Sequence, residues 1–362
     1  MMSFKETMIY DSLLDLESKR IFKARHDLMV SNDGDEFFNA ISQDDKPWNI
    51  LGFNNWLSDL EKMDMIKPEE RKIYIFGAGQ YGKMTFITLK KAGFSPVAFI
   101  DNDETRYSET FMSLPVYSLS SVIEQDKDFC VLIAVKAYYE PIYEKLCQKI
   151  KRPYIWLDLL YKRAIATIGK QYFDFFEKPG ENIGIFIDCG CYDLGNALDF
   201  IDWCDRKYDK IIAFEPDRRN YENCMKEFSQ NKIEKFTLVN KGIWNEDSVL
   251  HFAESNFSMA SAIHAKGGTR IEVTSIDNIV KNMEKPVEVG FIKMDIEGAE
   301  LNGLVGAKET IIQFKPKLAI SVYHKADDFI SIPLYIKELR DDYKFAYRHY
   351  TNTEHETILY AW

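Results

Sequence analysis

No stretch of this 362-residue chain approaches the ~20 consecutive apolar residues that a bilayer span needs. The first twenty residues, MMSFKETMIYDSLLDLESKR, mix acids and bases and lack the roughly 7–15-residue apolar segment of a secretory signal. A soluble cytoplasmic protein is therefore expected. A basic excess is also missing: 46 Lys and Arg stand against 57 Asp and Glu, a net charge of −11. Such a surface repels phosphate backbones, so nucleic acid is not an expected partner. Cysteine is sparse. Cys130, Cys147, Cys189, Cys191, Cys204 and Cys224 form no C-x-x-C pair and no His-flanked metal spacing, which points to reduced thiols. Cys189 and Cys191 read as small packing residues beside a glycine turn, not as half of a metal site. What the chain does have is apolar material: 46% hydrophobic residues, with 25 Phe and 20 Tyr, exclude disorder. The length suggests two compact domains and a helical extension.

Residues 1–69 read as that extension, with Ile9, Leu13 and Leu16 at helical spacing and Asn32-Asp33-Gly34 as a turn. No chemistry is visible there. Packing on the next domain or on a second copy of the chain, a homo-oligomer, is the economical role. From Lys72 a strand–helix alternation begins. KIYIF (72–76), a glycine turn at 77–82, a helix to about 92 and PVAFI (96–100) make a βαβ unit, and apolar runs at 129–135 and 153–157 flank a helix at 138–150. These define a smaller Rossmann-like α/β domain over 70–160. Residues 158–177 look helical, giving a linker over 161–182. A second series of strands follows at 184–188, 211–215, 235–240, 290–294, 317–322, 344–349 and 356–361, with a hairpin near 249–252 and a strand near 271–274 inserted. The short turn at 351–354 permits only antiparallel pairing of the last two strands.

The first of these strands runs into DCGCYDLGN (188–196), where missing side chains let a ligand approach the backbone and the next helix offers unpaired N–H groups. Glu215 ends the second strand, placed to accept ribose hydroxyls. With DCGCYD (188–193), FEPD (214–217), IKMDIEGAEL (292–301), SVYHKADDF (321–329) and RHY…ETILYA (348–361), residues 183–362 resemble the FkbM-type methyltransferases. The resemblance implies a class I methyltransferase sheet of seven strands, one antiparallel, binding S-adenosylmethionine. Carried over by residue, Asp188, Gly190, Tyr192 and Asp193 line the methionine side with Gly195 in the turn, Glu215 takes the ribose, Asp217 flanks it, and Lys241 and Gly242 border the adenine. One departure stands out: the family usually has glycine where this chain has Leu194.

Methyl transfer to an alcohol needs alignment of nucleophile, methyl and sulfur, and a base for the hydroxyl proton. Asp295, Glu297, His324 and His349 are the candidates at the strand ends. His324 is preferred because an unperturbed imidazole titrates near working pH, although an ordinary histidine bonded to its own loop fits the sequence equally well. Asp295 also suits substrate positioning, or cation binding with Glu297 and His324; no metal is assigned. The run 295–300 reads equally as a helix start with acids in its first turn. Lys293, inside an apolar strand, requires a buried partner. Arg348 and His349 suit either an anionic acceptor or solvated strand-end charge.

The first glycine turn, Gly77, Gly79, Gln80, Tyr81 and Gly82, with Asp101 nineteen residues on, fits a dinucleotide fingerprint. That makes an NAD(P)-dependent oxidoreductase acting on a nucleotide sugar the rival enzyme. IYIFGAGQYGKM, VAFIDND and LPVYSL (within 73–119) instead resemble the nucleotide-sugar-binding domains at the N terminus of bacterial sugar-modifying enzymes. The expected function is an O-methyltransferase acting on a small molecule or glycan, in a role such as surface polysaccharide biosynthesis. A non-catalytic nucleotide-binding scaffold is the third reading.

Overall fold

The computed structural model describes residues 2–41, 72–91, 94–107, 109–126, 129–135, 139–149, 153–155, 171–231, 233–252, 269–283, 288–350 and 354–362. The chain divides into two compact units, one of Ser42–Gly169 and one joining Met1–Ile41 to Lys170–Trp362. This division differs from the expected boundaries, in which 1–69 and 161–182 stood apart. The portions of those readings at 42–69 and 161–170 lie outside the described residues.

The Ser42–Gly169 unit is built on a six-stranded sheet of β1 (Lys72–Phe76), β2 (Ala98–Ile100), β3 (Thr110–Phe111), β4 (Leu114–Tyr117), β5 (Phe129–Ile133) and β6 (Pro153–Ile155), in the order β3-β4-β2-β1-β5-β6. Every pairing is parallel except β3 with β4. Helices Gln80–Lys91, Leu119–Gln125 and Tyr139–Lys149 connect the strands. The sequence reading had no β3–β4 hairpin, because its turn is made by Met112 and Ser113 at φ 50° and 62°. That left-handed pair is normally advertised by Asn or Gly.

In the larger unit all seven expected strands fall in one sheet. They are β7 (Ile185–Cys189), β8 (Lys210–Phe214), β9 (Phe236–Val239), β13 (Val289–Met294), β14 (Lys317–Ser321), β15 (Phe345–His349) and β16 (Thr357–Ala361). The order is β15-β16-β14-β13-β7-β8-β9, and β16 alone runs antiparallel to its neighbours. Between β9 and β13, β10 (Gly242–Ile243), β11 (Ser248–Phe252) and β12 (Thr269–Thr274) form a separate small sheet. Alternate residues of the central strands face opposite layers. Ile185, Ile187, Ile292 and Met294 join one apolar core. Phe186 and Phe291 enter an aromatic layer with Phe173, Phe200 and Trp203, in which the Phe186 and Phe200 rings stack at 4.3 Å. Residues 171–175 are turns, not the helix expected over 158–177. Phe173 and Phe176 anchor them in that aromatic layer and so fix Gln171 and Tyr172 at the sheet's rim.

The N-terminal helices Phe4–Ser12, Leu16–Ser31 and Gly34–Ile41 belong to this unit. The first ends at Leu13, which bridges to Phe345, while Leu14 N–H donates to the Phe345 carbonyl at 3.0 Å. Asp15 then caps the second helix by accepting from Ser18 N–H, and the Tyr347 N–H donates to Ser18 Oγ at 2.9 Å. Residues 13–18 thus cover the edge of β15, whose open backbone groups would otherwise invite association. The helical spacing of Ile9, Leu13 and Leu16 does not survive this break: Ile9 and Leu13 are buried, whereas Leu16 is 85% exposed. Phe22 packs edge-on to Phe329 at 5.0 Å and against Tyr347. Replacing Phe22 by Ala is expected to lower stability by about 3–5 kcal/mol in urea unfolding, while Leu16→Ala stays within about 0.5 kcal/mol. Equal effects would refute the docked arrangement.

Candidate active site

The chain passes from β7 to β8 and β9 on one side, then returns to β13 and β14 on the other. The C-terminal ends of β7 and β13 therefore flank the point where strand order reverses, the place where open α/β sheets bind ligands. Asp188 and Lys293 are paired in register across these two strands. Lys293 Nζ lies 3.2 Å from Asp188 Oδ1, with both side chains at most 1% exposed. The ammonium also donates to the Gly190 carbonyl at 2.6 Å and sits over the Tyr172 ring. Burial alone would lower the Lys293 pKa, but Asp188 and Asp295 outweigh it and raise it, so the lysine stays charged. Lys293 is the partner of the Asp188 carboxylate, and its charge offsets only part of the burial that pushes the Asp188 pKa up.

Gly190, at φ 83°, brings the 190–195 turn against the 295–298 turn. A Cβ there would lie 2.0 Å from the Asp295 carbonyl oxygen. Leu194 occupies the left-handed region at φ 63° and caps the helix Gly195–Trp203. Its backbone costs on the order of 1 kcal/mol relative to glycine, which complete burial of the side chain offsets. Glu215, just past β8, is 6% exposed. Its Oε2 accepts from Tyr192 N–H at 3.1 Å and its Oε1 from Asp217 N–H at 2.9 Å. Burial pushes its pKa up, against these two bonds. Asp193 and Asp217 are exposed turn residues that accept from the N–H groups of Gly195 and Asn220. Gly242 lies in β10 beside Pro216, and Lys241 faces Glu272 at 3.8 Å.

Beyond β13 an acidic group collects around one imidazole. His324 Nδ1 is 2.9 Å from Glu300 Oε1, while Nε2 lies 3.5 Å from Asp295 Oδ1 and 3.6 Å from Glu297 Oε2. Burial would lower the His324 pKa, but the Glu300 hydrogen bond and the three carboxylates raise it to about 9. Both ring nitrogens face carboxylates, an arrangement that favours the imidazolium over the free base expected of His324. Asp295 accepts from Tyr172 Oη–H at 2.7 Å, and the Tyr323 hydroxyl lies 3.4 Å from its other oxygen. Glu297, at φ 56°, keeps a half-exposed carboxylate. Glu300 begins the helix Glu300–Val305 fully buried and also accepts from Ile296 N–H. Donor atoms of Asp295, Glu300 and His324 lie within 4.8 Å of one another, but the imidazolium accounts for that clustering and we assign no metal.

His349 and Arg348 are elsewhere. His349 is buried, bonded through Nδ1 to Thr357 Oγ1 at 2.7 Å and set edge-on to Phe37. It helps seat the N-terminal helices and is removed from the candidate bases. Arg348 pairs with Asp15 at 2.7 Å and Glu17 at 3.4 Å, so its charge is matched within the protein. The residues that sequence reasoning did not place in the site are Tyr172, Tyr323, Glu356 and Glu300, the last read only as an acid in the first turn of a helix. Three of them lie inside the segments that carried the family resemblance; Tyr172 lay in the stretch read as helix. In the smaller unit, Gly77 (φ 108°) and Gly82 close the first turn, where a Cβ on Gly82 would meet the Gly77 carbonyl oxygen at 1.9 Å. Gly79 is exposed, and Gln80 and Tyr81 open the helix Gln80–Lys91. Asp101 accepts from Ala78 N–H at 2.8 Å and Asp103 N–H at 3.0 Å.

The family model of the Methyltransferase FkbM domain matches residues 188–345. Among solved structures, a methyltransferase FkbM from Methylobacillus flagellatus KT is 20% identical, with 94% of this chain and 100% of that chain covered at a TM-score of 0.46. A putative methyltransferase from Streptococcus mutans in complex with SAH is 14% identical, covering 50% and 88% at 0.33. A putative O-methyltransferase from Klebsiella pneumoniae is 8% identical, covering 49% and 72% at 0.30. No curated protein matches. Residues 188–345 thus match a methyltransferase domain, and among the described residues no helix is long and apolar enough to cross a membrane.

The His324 pKa has a consequence for stability. A pKa raised from about 6.5 to about 9 means the folded state holds this proton more tightly. Its stabilisation is complete below about pH 6.5 and disappears as pH rises through about 9, at most about 3 kcal/mol. The urea midpoint of the wild type should therefore fall across that window more steeply than that of His324→Gln. Parallel curves would show that the imidazole is not held protonated.

Proposed function

We propose that this methyltransferase domain binds S-adenosylmethionine across the ends of β8, β7 and β13 and transfers its methyl group to a hydroxyl of a small molecule or glycan. The observation that carries the reading is the Glu215 carboxylate. It spends one lone pair per oxygen on Tyr192 and Asp217 N–H groups, and an ionised carboxylate has about four acceptor positions. With the Asn220 side chain also bonded to it, it keeps acceptor capacity for ribose hydroxyls, one strand over from the turn that Gly190 packs against the Asp295 carbonyl. Asp188, Gly190, Tyr192, Asp193 and Gly195 would then border the methionine part.

Charge favours the same ligand. Asp188, Asp193, Glu215, Asp217, Asp295, Glu297 and Glu300 outnumber Lys293 and His324 around this rim. S-adenosylmethionine carries one more positive charge than its demethylated product, so the acidic rim attracts the donor and releases the product. Asp295, at the tip of β13 with a side chain 23% exposed, is the proton acceptor in this reading. The hydroxyl proton passes to its carboxylate as the oxygen attacks the methyl carbon and the sulfonium becomes a thioether. His324 acts beside it as a fixed cation.

Calorimetry on the full chain tests this directly. S-adenosylmethionine should bind more tightly than S-adenosylhomocysteine, with the difference shrinking in Asp295→Asn. Glu215→Ala should weaken both ligands about 100-fold, as the loss of two charge-assisted hydrogen bonds predicts. Tight binding of NAD with none of S-adenosylmethionine would favour the oxidoreductase, and binding of neither the scaffold.

A further inference from the structure

Glu356 takes no part in the reaction as drawn, yet it reaches the same rim from the start of β16. Its backbone is left-handed at φ 63°. Its Oε2 accepts from Gln171 Nε2 at 2.8 Å, and its Oε1 lies 3.3 Å from the Tyr323 hydroxyl. That hydroxyl is also 3.4 Å from Asp295 Oδ1. A phenol has one proton to donate, and here two carboxylates face it. If both were ionised, one would lose its only tyrosine donor on that side and the two like charges would oppose each other across a single oxygen.

We propose that Asp295 and Glu356 share one proton through the Tyr323 hydroxyl, and that Glu356 is the station to which the acceptor's proton is passed. The proposal rests on Asp295 as the proton acceptor. The state that takes up the acceptor's proton is the doubly ionised one, which the opposed charges disfavour and in which Tyr323 donates to Glu356. As the acceptor's O–H bond breaks, its proton forms a new O–H bond on Asp295. Asp295 then gives that proton to Tyr323 Oη while Tyr323 gives its own to Glu356 Oε1. Asp295 is again a carboxylate, Glu356 is neutral and donates back to Tyr323, and no oxidant or reductant is needed. Tyr323 thereby turns its donor from Glu356 to Asp295 once per turnover. Glu356 never touches the acceptor; it positions and recharges the group that does.

The surroundings suit a shared proton. Tyr172 and Gln171 face the pair from the 171–175 turns. Tyr323 and His324 stand after β14, their rings 4.2 Å apart, and the His355 ring lies 5.6 Å from Tyr323. Arg25, from the helix Leu16–Ser31, donates to Thr357 Oγ1 at 2.9 Å and to the Glu354 carbonyl, and its charge acts on Tyr323. Burial first, and then the Asp295 charge, push the Glu356 pKa up to about 7.

Infrared difference spectroscopy on the full chain, stepped in pH with S-adenosylhomocysteine present and absent, reads this without any methyl acceptor. The wild type should show the carbonyl stretch of a protonated carboxyl group disappearing with a midpoint near pH 7. Glu356→Gln, which keeps the shape and a donor toward Tyr323, should lose the Glu356 component of that band at unchanged circular dichroism, leaving only the component of Asp328, whose pKa is also raised to about 7, as comparison with Asp328→Asn shows. Asp295→Asn should move the midpoint down by removing the like charge, and Tyr323→Phe should move it up by removing the donor that stabilises the ionised form. An undiminished band in Glu356→Gln, or a Glu356 component whose midpoint neither other substitution moves, would overturn the shared proton. Because the signal does not need the cofactor, failure of S-adenosylmethionine to bind would sink the methyl-transfer reading and the relay with it, while leaving the proton shared by Asp295 and Glu356 standing.

Discussion

The buried ion pair between Asp188 and Lys293 is the constraint on which the rest of the rim depends. It links the two strands that flank the sheet's reversal point, 3.2 Å apart and closed to water. Removing either partner would strand the other as an uncompensated buried charge, at a cost of about 3–5 kcal/mol. Lys293 does more than balance Asp188. By donating to the Gly190 carbonyl and lying over Tyr172, it ties the glycine turn and the 171–175 turns to the same point. An apolar pair of equal volume could hold the strands, but it could not orient those two turns.

Around that point the protein has gathered acids and then limited their charge. His324 is held as a cation by Glu300, Asp295 and Glu297. Asp328, caught between burial and Glu300, has its pKa raised to about 7, and Glu356 titrates in the same range. A site built this way is short of positive charge. That suits a sulfonium donor and disfavours an anionic acceptor, since the arginine once considered for that purpose, Arg348, is already matched by Asp15 and Glu17.

Much of the fold was legible because the strands of the larger sheet are short apolar runs bounded by turn residues. Each was placed within a residue or two, and the reversed strand followed from a connection too short for a crossover. What was not legible depended on distance along the chain. Leu16 looks like part of an apolar stripe, but docking of residues 13–18 on Phe345 and Tyr347 breaks the helix before it. Phe173 and Phe176 have helical company in sequence, yet their burial against Phe291 selects turns. The site shows the same division. Glu215 and the glycine turn could be read locally, since their spacing is their signal. The state of His324 could not, because it is set by carboxylates some 24 to 29 residues earlier that only the fold brings to the ring, and an isolated histidine suggests an ordinary base.

A crystal structure of the full chain with S-adenosylhomocysteine bound examines the central claim most directly. The account predicts both ribose hydroxyls within hydrogen-bonding distance of Glu215, the amino acid part along residues 188–195, and the sulfur facing Asp295 at the ends of β7 and β13. A nucleoside seated instead at the Gly77–Gly82 turn, with Glu215 turned away from it, would contradict the account.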